Sequence, residues 1–151
     1  MKTTSLLGAC ALLAGVALAP CCAYAASDDA GMVKTVKGQV DIVRAGQTLP
    51  VQIGDLVMQG DQVNTGSDSS VGITLRDDTL LSAGARSTLI INRFDFNPTT
   101  HAGHLNSSIK RGTLAVIDGK IAKSHPEDVQ FSTDTITLGV RGTEFIIDTG
   151  K

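Results

Sequence analysis

Apolar positions along the chain come in short bursts separated by Gly, Asp, Asn and Ser, and within the bursts they tend to alternate. Val71, Ile73 and Leu75 alternate with Gly72 and Thr74, which puts three apolar side chains on one face of an extended segment. Val40 and Ile42 give a strand that runs into a turn at Arg44-Ala45-Gly46-Gln47, and Leu49 to Ile53 returns from it. Arg76-Asp77-Asp78-Thr79 is a turn before Leu80-Leu81, and its two carboxylates are expected to be solvated. Thr88 to Ile91, Thr113 to Ile117, Asp128 to Thr133 and Thr143 to Asp148 are further strands. Beyond the first 25 residues no stretch keeps a helical apolar period for three turns. Closely spaced strands with frequent turn signals define an all-β class. Gly54-Asp55-Leu56-Val57 is echoed by Gly60-Asp61-Gln62-Val63, which suits the tight repeated corners of a compact solenoid-like stack of short strands. A β-sandwich or jelly roll is the alternative.

The N-terminal residues follow a different pattern. Lys2 supplies a positive start, Leu6 to Ala19 is uncharged, and Ala23-Tyr24-Ala25 places small residues before a cut after Ala25. This is the layout of a secretory signal peptide spanning 1–25, followed by one domain over 26–151. The apolar run is too short to span a bilayer, which takes about 20 residues, and no second one follows, so no membrane span is expected. Leu18-Ala19-Pro20-Cys21 also carries a weak lipoprotein signature with Cys21 as the lipidated residue, although Pro20 fits that site poorly. The export reading makes the protein periplasmic or secreted and discards Cys10, Cys21 and Cys22, leaving a domain without disulfides. Ala26 to Ala30 reads as a short solvated lead-in. The net charge is −2, and loss of Lys2 makes it one unit more negative, which argues against nucleic acid as a partner.

Candidate chemistry is sparse. The longest irregular segment is Asn97 to Ser107, which includes Pro98 and Gly103 and is the loop best suited to touch a partner. His101 and His104 lie in it, but Gly103 loosens their spacing and the nearest carboxylate in sequence is Asp95, so no metal site is assigned. His125, beside Pro126, reads as a surface turn residue. No Gly-x-Ser-x-Gly elbow occurs, and Thr65-Gly66-Ser67-Asp68 reads as a turn whose side chains bond their own backbone. No Gly-Lys-Ser/Thr phosphate loop is present either. Catalytic residues and cofactors are therefore not expected. Trp is absent, and Phe94 and Phe96 sit two apart on a strand, where a shared core face is favoured over an exposed sugar-stacking platform.

Several segments taken together resemble the FecR domain family. They are Asp61 to Ser67, Val71 to Leu80, Arg86 to Ile91, Lys110 to Leu114, and Val140-Arg141-Gly142-Thr143-Glu144-Phe145. The resemblance covers about Gly38 to Asp148 and implies a periplasmic, solenoid-like β module. The best-known members carry a signal from an outer-membrane receptor to a cytoplasmic sigma factor, using an anti-sigma segment, a membrane span and a receptor-binding portion that this sequence does not show. It looks like a stand-alone exported version of the domain. The motif positions Thr65, Gly66, Gly112, Arg141, Gly142 and Thr143 are read mainly as structural: the glycines relieve backbone crowding, Arg141 pairs with a carboxylate across strands, and branched Thr143 suits a strand. The expected function is non-catalytic binding of another envelope or outer-membrane protein in signalling or surface assembly. The alternative is a module binding cell-wall glycan or polysaccharide.

Overall fold

The computed structural model describes residues 29–140 and 142–150. The expected signal peptide, its lipidation alternative at Cys21 and the side chain of Arg141 lie outside them. The chain forms β1 (Asp29–Lys37), β2 (Val40–Arg44), β3 (Gln47–Pro50), β4 (Leu56–Met58), β5 (Gln62–Thr65), β6 (Ser70–Leu75) and β7 (Leu80–Ala83). It continues with β8 (Thr88–Phe96), β9 (Gly103–Arg111) and β10 (Thr113–Ile117). A one-turn helix α1 (Lys120–Ser124) and a 3-10 turn (Pro126–Asp128) precede β11 (Val129–Ser132), β12 (Thr137–Gly139) and β13 (Glu144–Asp148).

The strands make two sheets, ordered β13-β10-β7-β6-β1-β4 and β12-β11-β9-β8-β5-β2-β3. The all-β class is as expected. In both sheets the strand order nearly follows the chain order, so the chain passes back and forth between the sheets while advancing along them. This advance is the stack-like element of the fold. Strand pairing, however, is antiparallel throughout except for β9 with β11, and hairpins β2-β3, β6-β7, β8-β9 and β11-β12 interrupt the winding. The arrangement therefore combines the progression of a wound stack with the two facing layers of a sandwich.

The period-two pattern explains which faces meet. In β6, Val71, Ile73 and Leu75 are buried while their neighbours are half-buried, and β8 buries Leu89 and Ile91 in the same way. One apolar cluster draws on both sheets, with Val33, Ile73, Leu81, Leu114 and Val116 from the first and Val63, Leu89, Ile91, Ile109 and Phe131 from the second. Each such large side chain contributes about 2–3 kcal/mol by leaving water. Phe94 joins this core and Phe96 packs partly against it, as their shared spacing suggests.

Two local expectations change and a third is sharpened. Ala30 is fully buried in β1 rather than solvated, because β1 is an interior strand between β4 and β6. The segment expected to be irregular from Asn97 to Ser107 is half strand: β9 begins at Gly103 and pairs with β8, leaving only a tight connection. Asn97 organises that connection through its side-chain carbonyl, which accepts from the N–H groups of Thr99 and Thr100. The Gly-Asp echo is conformational as well as sequential. Gly54 and Gly60 both adopt positive φ, and Asp55 and Asp61 each accept a hydrogen bond from the N–H three residues earlier, of Gln52 and Met58. Their environments then diverge. Asp55 stays exposed, while Asp61 is buried and holds the Arg44 guanidinium through two contacts of 2.8 and 2.6 Å. That hydrogen-bonded contact raises the Arg44 pKa further above its ordinary value.

Candidate functional site

The motif residues gather at the corners where the chain leaves one sheet for the other. Thr65, at the end of β5, is buried; its N–H donates to Ser87 O at 3.0 Å, and its hydroxyl donates to Gly84 O and accepts from Ser87 N–H at 2.8 Å. These partners lie one corner further along, so the expected turn bonding to its own backbone is replaced by a link between corners. The Gly66 N–H donates to Gln39 O, and a Cβ there would stand 3.0 Å from Ser69 Oγ. Ser87 continues the row by exchanging bonds with Thr113, and Gly112 N–H donates to Thr149 Oγ1 at 2.8 Å. Gly112 has φ +86°, and a Cβ would lie 2.2 Å from Ser87 Oγ and 2.6 Å from Ser87 Cα. Only glycine fits that corner.

Gly142 does not follow the expectation for it. A Cβ there meets nothing within 4 Å among the described residues, so crowding by them does not call for glycine. Thr143 is exposed and lies just before β13 rather than in it; its carbonyl accepts from Asp118 N–H at 3.0 Å. Thr65, Gly66 and Gly112 thus share one row of corners, and Thr143 belongs to a different one.

That other row holds two carboxylates that sequence reasoning placed in solvent or passed over. Asp77 is fully buried rather than solvated: its carboxylate accepts from Thr79 N–H at 3.1 Å and from Thr79 Oγ1–H at 2.7 Å. Thr79 Oγ1 in turn accepts from Gly119 N–H at 3.1 Å. Asp78 does face water, where an ion pair with Lys120 lowers its pKa. Asp118 is buried, and neither of its carboxylate oxygens has a hydrogen-bond partner among the described residues. Burial, and then the proximity of Asp77, pushes the Asp118 pKa up. The adjacent pair Asp77-Asp78 points to opposite environments and is no acid–base couple. No sequence signal marks Asp118, because its surroundings, Asp77 and the Thr143 carbonyl, come from corners distant in sequence.

Most of the exposed large apolar side chains lie at the ends of the stack. β12 and β13 are the terminal strands of their sheets, and a groove of about 440 Å³ between them is lined by Ile136, Leu138, Ile146 and Ile147 together with Lys110 and Asp148. Ile146 is 67% exposed and Ile136 57%. The opposite end carries a similar groove between β3 and β4, lined by Leu49, Leu56 and Met58. Terminal strands offer unpaired main-chain groups, so both ends combine apolar side chains with open hydrogen-bonding positions. No comparable aromatic platform forms at the other candidate surface: Phe94 is buried and Phe96 is half-buried, stacked on His101 with ring centroids 6.3 Å apart.

The histidines separate. His101 turns to Phe96, while His104 lies on β9 with its Nε2 3.5 Å from Asp128 Oδ1 and its Nδ1 3.7 Å from Asp95 Oδ2.

The sequence model of the FecR protein family matches residues 61–151, and the chain belongs to that family. The match begins at Asp61, the buried partner of Arg44, so β1 to β4 lie ahead of it. FecR proteins form a non-enzymatic family involved in envelope signalling. No curated protein and no solved structure matches the chain. Among the described residues, no helix is long and apolar enough to cross a membrane.

Proposed function

We propose that this protein is an exported, non-catalytic envelope module that binds another envelope protein through the β12–β13 end of its stack. The observation that carries this reading is the groove where two terminal strands meet, with Ile136, Leu138 and Ile146 exposed along it. A partner segment in extended conformation gains main-chain hydrogen bonds at such an edge and seats alternate side chains on the apolar wall. Membership of an envelope signalling family supports the same reading. So does the position of the family's Val140 to Phe145 segment, which leads into the terminal strand β13.

The test is site-specific photo-cross-linking in intact cells from Ile146, with Ile53 at the other end as reference. Adducts with an envelope protein from Ile146, lost when Leu138→Lys is added, are expected. Adducts formed equally from both positions, or with glycan only, would refute the proposal.

A further inference from the structure

We propose that His125, Glu127 and Asp128, joined by His104 when the ion binds, form a binding site for a divalent transition-metal ion such as Zn²⁺. His125, Glu127 and Asp128 each direct one ligand atom to within 4.8 Å of the others. They occupy the corner between α1 and β11, formed by the 3-10 turn. His104 comes from a distant part of the chain. The parallel pairing of β11 with β9 aligns Val129 with Leu105, and one step earlier it brings Asp128 beside His104.

Two of the donor spacings suit a metal. Zn²⁺ held tetrahedrally at 2.0–2.1 Å separates its donors by about 3.3–3.4 Å. Within the three-residue group His125 Nδ1 stands 3.6 Å from Glu127 Oε1; His104 Nε2 lies beside the group, 3.5 Å from Asp128 Oδ1, and its half-exposed side chain turns in to complete the set. Two imidazoles and two carboxylates give a mixed nitrogen and oxygen donor set that neutralises a divalent cation. A second feature points the same way. Asp95 Oδ2 lies 3.7 Å from the far nitrogen of His104, Nδ1, and Arg93 holds that carboxylate at 2.8 Å. A carboxylate behind a ligating imidazole fixes its tautomer and presents the opposite nitrogen to the metal. The side chains are half-exposed or exposed, so the ion can enter directly from solvent. Once bound, it ties the α1–β11 corner to β9.

The experiment is titration of the untagged full chain with Zn²⁺ by calorimetry, paired with Co²⁺ absorption to report the ligand atoms. One ion per chain is expected, with Co²⁺ giving d–d bands of nitrogen and oxygen ligation. His104→Ala and His125→Ala should each weaken binding at least tenfold, Asp95→Asn by about tenfold, and His101→Ala should leave it unchanged. Absence of binding, binding indifferent to His104 and His125, or a cobalt–thiolate band from the cysteines at residues 10, 21 and 22 would overturn the assignment.

Discussion

Gly112 and Gly142 look equivalent in sequence, each preceding a Thr at the start of a strand-like run, yet they carry different constraints. A methyl group at Gly112 collides with the Ser87 backbone and sits on a positive φ. Gly112→Ala should therefore cost at least about 2 kcal/mol, read as a fall in the midpoint of urea unfolding. Gly142→Ala should stay within about 0.5 kcal/mol of the parent. Asp118 gives a pH-dependent case. Its folded-state pKa is raised, so the stability it contributes is complete below the ordinary carboxylate range and is lost as pH rises through the folded value. Asp118→Asn removes the ionisable group but keeps the shape. The variant should melt higher than the parent at pH 7, and the gap should close as pH falls towards 4. A gap that is constant with pH would mean the carboxyl is not charged at a cost in the fold.

At the scale of elements, the alternation of Val71, Ile73 and Leu75 fixed β6, and Thr113 to Ile117 marked the bounds of β10, because a half-buried strand writes its face into the residue pattern. The helix α1 escaped notice because Lys120–Ser124 is a single turn, too short to show a period. The links Thr65–Ser87–Thr113 and His104–Asp128 were illegible for a different reason. They join residues about twenty or more positions apart, and only strand register brings them together. Turn chemistry was likewise read locally, which put Asp77 in water when its corner is covered by Gly119 and Lys120. Between β2 and β5 the Arg44–Asp61 pair is the strongest polar tie. Arg44→Ala leaves a buried carboxylate that keeps only its bond from Met58 N–H. Because Arg44 is itself one-third exposed, the loss should be about 1–3 kcal/mol, measured by chemical unfolding. Asp61→Asn with Arg44→Ala should recover part of it.

Across the whole molecule, the fold class and the family followed from the ordered strand segments, whereas the surface available for binding did not. Exposure of Ile136, Leu138 and Ile146 depends on which strands end each sheet, and that is a property of the order of strands. The near match between strand order and chain order has a further consequence, for assembly in time. β1 finds its partners in β4 and β6, β7 pairs with β6 and β10, and β8 with β5 and β9, so no strand waits for one at the far end of the chain. A chain delivered N-terminus first can lay down each layer on one already formed. Chains halted after Phe96 hold β4-β1-β6-β7 facing β3-β2-β5-β8, and should already resist protease in pulse experiments. Uniform sensitivity of such chains until β13 is added would show an all-or-none process instead. Vectorial growth of this kind would keep the edges still to be extended close to the newest strands, so beside the settled β3–β4 end a nascent molecule has a single growing end.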